Sequence, residues 1–91
     1  MTHTIIHKPE QARFQTTVDG HLCVLDYQLH EAVMIITHTE VPALLAGQGI
    51  AAALTQAALT TARARHWLVS PECSYAAAYL QRHPEYQDLL T

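Results

Sequence analysis

Apolar and polar residues alternate through the first half of the chain and group at helical spacing in the second. Across residues 12–18 the alternation puts Phe14, Thr16 and Val18 on one face, the period-two pattern of a half-buried strand. Asp19-Gly20 follows, a tight-hairpin signal, because such turns demand positive φ. Residues 21–29 are then the partner strand, with Cys23, Leu25, Tyr27 and Leu29 on one face and Leu22 and Val24 on the other. A short polar turn at His30-Glu31 leads into a third strand over residues 32–41. Its start is apolar on both faces, which predicts a central position in a sheet. Pro42 has no N–H for a ladder and should end it.

In the second half, residues 50–65 are rich in Ala and Leu, and Ile50, Leu54, Ala57, Ala58 and Thr61 recur at helical spacing. Arg63 and Arg65 fall in the last turn, where cations suit the helix dipole. Residues 66–69 form a short apolar run that reads as a buried strand. Ser70-Pro71 has the form of an N-cap followed by Pro at the first helical position, predicting a second helix over 72–82. Pro84 stops it and leaves a tail with a short turn. The order is strand, strand, strand, helix, strand, helix. The strand over 33–41, the long helix and the strand over 66–69 have the length of a βαβ crossover, so those two strands should be parallel. The expected class is α/β, a mixed sheet with helices packed on it, in one domain spanning residues 1–91.

Composition narrows the function. Apolar residues make up 49% of the chain and charged ones 14%, which excludes intrinsic disorder. Apolar runs fall short of a membrane span, and the start lacks the layout of a signal peptide, so a cytoplasmic protein with no membrane partner is expected. The formal net charge is −3, and the basic residues Lys8, Arg13, Arg63, Arg65 and Arg82 form no dense patch, so nucleic acid is not an expected partner. Cys23 and Cys73 make no disulfide framework. The two cysteines form no Cys-x-x-Cys, and the seven histidines alone give a zinc site little support.

Chemistry concentrates in Ala46-Gly47-Gln48-Gly49-Ile50-Ala51, between the third strand and the long helix. Glycine lets backbone approach a ligand closely, and the unpaired N–H groups at a helix start make an anion site. No Asp or Glu occurs between Val41 and Pro71, so the first helical turn lacks its usual acid, and a bound phosphate would supply that charge. The plain alternative is a tight strand-to-helix turn with no ligand. A P-loop fails for want of Gly-Lys-Ser/Thr. A dinucleotide fold fails for want of the third glycine and the later acid.

Four segments in order, Thr37-His38-Thr39-Glu40-Val41-Pro42, Gly47-Gln48-Gly49-Ile50-Ala51, Pro71-Glu72-Cys73-Ser74-Tyr75 and Arg82-His83-Pro84-Glu85-Tyr86, resemble the minimal GNAT-type N-acetyltransferase domain proteins. The resemblance covers about residues 13–89. It implies the acyl-CoA N-acyltransferase (GNAT-like) fold with acetyl-CoA as cofactor. The amides of Gly47, Gln48, Gly49, Ile50 and Ala51 would hold the CoA pyrophosphate. The backbone of Thr39 and Val41 would bind the pantetheine arm where two parallel strands splay apart. One position departs: the family's loop usually opens with Arg or Gln, and this chain has Ala46.

Forming an amide from a thioester needs a neutral amine, a polarised carbonyl and a stabilised leaving thiolate. His38, Glu40, Cys73 and Tyr75 are the catalytic candidates near the strand ends. Cys73, in the first turn of the predicted second helix, is placed for a depressed thiol pKa, and His38 at the neighbouring strand end is a candidate partner. The bland counterpart is a small buried cysteine. Glu40 is a candidate base for the amine, or a solvated strand-end charge. Tyr75 is a candidate proton donor to the thiolate, or half of a packed pair with Tyr79. Cys23 and Trp67 are expected in the core. Arg82 and His83 are either phosphate contacts or a solvated helix end. The leading expectation is an acetyl-CoA-binding N-acetyltransferase acting on an unidentified amine, as monomer or homodimer. The competing one is a non-catalytic acyl-CoA-binding module.

Overall fold

The computed structural model describes residues 3–91. It opens on a strand that the alternation did not reveal: β1, Ile6–Lys8, pairs antiparallel with β2, Arg13–Val18. Three residues are too few to establish a period. Ala12 sits at φ 52° between a short 3-10 turn and β2, so β2 begins one residue later than its pattern suggests.

Two-residue turns then set the registers. Asp19 (φ 51°) and Gly20 (φ 78°) link β2 to β3, His21–His30, with Val18 opposite His21. Glu31 (φ 49°) and Ala32 (φ 65°) link β3 to β4, Val33–Glu40, with His30 opposite Val33. Ala32 therefore belongs to the turn and not to the strand. The predicted helix is α1, Ile50–Ala64, and Arg65 caps it.

After α1 the prediction shifts by two residues. The last strand, β5, is Leu68–Pro71, not residues 66–69, because His66 at φ 59° is still turning the chain. Pro71 ends this strand and does not start a helix. The N–H groups of Glu72 and Cys73 both donate to the Ile36 carbonyl, at 3.0 and 2.9 Å, and keep the chain against β4. The second helix, α2, is Ser74–Arg82, and its N-cap is Cys73, not Ser70. A 3-10 segment over Pro84–Leu89 follows, and Leu90 makes a parallel bridge to Val69.

The five strands lie in the order β1-β2-β3-β4-β5. All neighbours are antiparallel except β4 and β5, which are parallel as the crossover length predicts. Phe14, Cys23, Leu25, Tyr27, Met34, Ile36 and Val69 share one sheet face and join α1 and α2 in one buried cluster. Trp67 packs against its margin, and Cys23 is fully buried in it. Leu29, at the end of β3, stays about half exposed (48%). The opposite face carries Gln15, Leu22, Asp26 and Gln28, and Val24 is its buried residue among those described. Among the described residues no helix is long and apolar enough to cross a membrane.

Candidate functional site

The site begins where β4 and β5 part. Their pairing runs from Val33 opposite Leu68 to Ile36 opposite Pro71 and then stops. Beyond it β5 turns into α2, while β4 continues to Glu40 against β3 alone. The register explains the departure. Tyr27 faces Ile36 and Asp26 faces His38, so Thr37 has no counterpart and forms a bulge. A bulge bends its strand and sharpens the twist. The Thr37 hydroxyl donates to the Asp26 carbonyl at 3.3 Å and pins it. Residues 37–40 thus have one edge paired to β3 and, among the described residues, no strand on the other.

The bulge also exchanges the faces of the strand. Met34 and Ile36 point into the core, and uninterrupted alternation would send His38 the same way. With Thr37 inserted, Thr39 lies on the core side opposite Leu25, and His38 shares the open face with Glu40. The His38 ring Nε2 is 3.0 Å from Glu40 Oε1, and both side chains are exposed. The Cys73 thiol instead meets the Thr39 hydroxyl at 3.5 Å. The structure therefore brings His38 to Glu40 and Cys73 to Thr39, and does not form the expected Cys73–His38 pair.

Cys73 is half-buried. Burial raises its pKa, but the Ala76 N–H, the Thr39 hydroxyl and the backbone of Tyr75 and Thr39 outweigh that and hold the thiol below its ordinary value. This is the effect expected of a helix start on a thiolate. Tyr75, in the first turn of α2, shifts the other way: burial raises its phenol, with nearby Arg82 opposing, so it keeps its proton. Its ring lies 6.3 Å from that of Tyr79, the packed pair that the spacing also suggests.

The loop from β4 to α1 supplies the other half. Ala43–Leu45 makes a 3-10 turn, and the Leu45 and Ala46 N–H groups are used within it. Gly47 (φ 83°) and Gly49 (φ 75°) follow, and Gly49 is the N-cap of α1. A Cβ at either glycine would meet nothing within 4 Å, so positive φ and not crowding requires glycine there. The Ala53 N–H, bonded to the Gly49 carbonyl, is the first of the helix to find a backbone acceptor. The N–H groups of residues 47–52 find none among the described residues. The first turn of α1 contains no acid. An open pocket of about 310 Å³ lies against this loop, bordered by Val41, Leu45, Gly47, Gly49, Ala51 and Tyr75. A larger groove of about 650 Å³ runs along α1 on the side of His3 and Gln48, away from the strand gap.

The remaining candidates lie elsewhere. His83 stacks on Tyr79 at 3.8 Å, and its Nδ1 donates to the Tyr79 carbonyl at 2.7 Å, which makes it a packed helix end. Arg82 is exposed. The Thr39 side chain was not foreseen, because its role depends on a bulge that no residue type announces.

The site thus combines a strand gap, a glycine loop whose amides have no backbone acceptor among the described residues, and a helix start carrying a thiol held below its ordinary pKa. The sequence model of the GCN5-related N-acetyl-transferase family matches residues 13–89. The chain belongs to that family. The solution structure of a Staphylococcus aureus protein, a candidate GCN5-like N-acetyltransferase, is similar at 26% identity with a TM-score of 0.78. That match covers 97% of this chain and 87% of the other. No curated protein matches the chain.

Proposed function

We propose that the chain is an acetyl-CoA-dependent N-acetyltransferase. One observation carries the proposal: the N–H groups of residues 47–52 have no backbone acceptor among the described residues, and all of these residues but Gln48 border a pocket that reaches Val41, next to the unpaired edge of β4. A row of amides at a helix N-terminus favours an anion, and the CoA diphosphate is the anion that the family supplies. Gly47, Gln48, Gly49, Ile50 and Ala51 hold the diphosphate. The edge at Thr39 and Val41, which no strand covers among the described residues, takes the amide-bearing pantetheine arm as a further strand would be taken. Ala46 costs little in this arrangement, because the donors are backbone groups.

The thioester end then falls near the gap between β4 and α2. Protonated Tyr75 donates to the departing sulfur. His38 and Glu40, on the open face, accept the proton of an amine arriving through the gap, directly or by way of water. The new C–N bond replaces the C–S bond, and the amine proton leaves on the base as the thiolate is protonated. Cys73 has the thiol character for a covalent route, in which it takes the acetyl group first.

The second reading, a CoA-binding module without catalysis, has one observation in its favour: Cys73 faces a hydroxyl and not a base. Thermal unfolding with acetyl-CoA and transfer to a panel of amines separate the two. An enzyme is stabilised by the ligand and acetylates at least one amine. A module is stabilised and acetylates none. No stabilisation at millimolar ligand removes both readings. Intact mass after incubation, compared with Cys73→Ala, reports whether an acetyl-cysteine forms.

A further inference from the structure

We infer that His3 is a positioning residue for the glycine loop, holding the Gln48–Gly49 peptide so that the Gly49 N–H faces the proposed diphosphate pocket. The inference rests on the reading of that loop given above. The His3 ring Nε2 lies 3.2 Å from the Gln48 carbonyl oxygen, bridging 45 positions of sequence. That carbonyl receives no backbone hydrogen bond from α1, whose ladder starts one residue later at Gly49.

The peptide plane converts this contact into an orientation. No described peptide bond is cis, and in a trans peptide the C=O and N–H point in opposite directions. A carbonyl held from the His3 side therefore turns the Gly49 N–H to the other side. The cavities agree: His3 and Gln48 border the large groove along α1, whereas Gly49 borders both that groove and the smaller pocket.

Such a peptide needs holding. Gly49 sits at φ 75°, and glycine adopts either sign of φ at similar cost. Rotating the 48–49 peptide would swap the two groups, turning a carbonyl oxygen toward the anion in place of an N–H. His3 opposes that rotation before any ligand arrives, so the loop presents donors in advance. Preorganisation of this kind raises affinity by removing an ordering cost from the binding step.

The test compares full-length wild type, His3→Ala and His3→Gln by relaxation-dispersion NMR without ligand and by titration with CoA. Gln keeps a side-chain N–H donor at similar reach, and residue 3 precedes the first strand. In His3→Ala we expect new microsecond–millisecond exchange at the Gln48 and Gly49 amides, with the rest of the spectrum unchanged. Its CoA affinity should fall about fivefold, the scale of one hydrogen bond. His3→Gln should restore both. Unchanged loop amides in His3→Ala overturn the inference. So does altered loop exchange with undiminished CoA affinity, or a His3→Gln as weak as His3→Ala. If the wild type binds no CoA, the diphosphate reading itself falls, which is a different result from equal binding by wild type and His3→Ala.

Discussion

Thr39 shows how one hydroxyl sets the character of a neighbouring thiol. It reaches Cys73 at 3.5 Å and helps hold the thiol below its ordinary pKa. Thr39→Val keeps the shape and removes that hydroxyl. The pH at which Cys73 becomes half-reactive toward iodoacetamide should rise in Thr39→Val, and in the wild type it should lie below that of a free cysteine. Identical profiles for wild type and variant would contradict the assignment. His7 makes a second residue-scale prediction. Its ring stacks on Phe14 at 4.1 Å and shares a 2.7 Å hydrogen bond with the Tyr27 hydroxyl. Burial, with Arg65 adding and Glu10 opposing, lowers its pKa from the ordinary 6.5. The unfolded chain therefore takes up this proton first as the pH falls. The stability His7 contributes is complete above 6.5 and is lost as the pH drops from there through the lower folded value. Urea unfolding across that range should show a steeper loss for the wild type than for His7→Gln, which cannot titrate.

Elements in this chain are bounded by backbone geometry as much as by hydrophobic pattern. The Asp19-Gly20 hairpin was legible because its residues suit positive φ. The turn at Glu31 and Ala32 was displaced by one residue in the sequence-based expectation, because neither residue type favours the left-handed region. The same mismatch makes a prediction: Ala32→Gly relieves the strain and should stabilise the protein by about 1 kcal/mol. For a domain of this size that raises Tm by roughly 4–8 °C. At Gly49 the argument reverses. An added Cβ meets no atom, so Gly49→Ala should fold, at a cost of about 1–2 kcal/mol for its positive φ. CoA binding should weaken with it, as read by calorimetry. The Ser70-Pro71 signal misled because Pro also fits the end of an edge strand, and β5 borders no further named strand. Periodicity cannot choose between those two uses of Pro.

At the scale of the molecule, the parallel β4–β5 pair and the glycine loop were legible, since crossover length and loop composition are local properties. The partners of His38 and Cys73 were not. Both depend on Thr37, whose bulge reverses the strand faces through a pairing made with β3, far from it in sequence. His3 lay outside any local signal for the same reason, being joined to Gln48 only by the fold. Among the described residues the molecule assembles a gap between two strands, continued by a row of amides with no backbone acceptor, with one sheet face left uncovered by the helices. Backbone amide mapping by NMR during a titration with CoA tests that assembly most directly. The account predicts that the largest shifts fall at residues 47–52 and at Thr39 and Val41, with β1 and the β2–β3 hairpin unmoved. Shifts concentrated along the β2–β3 hairpin, or none at saturating CoA, would contradict it.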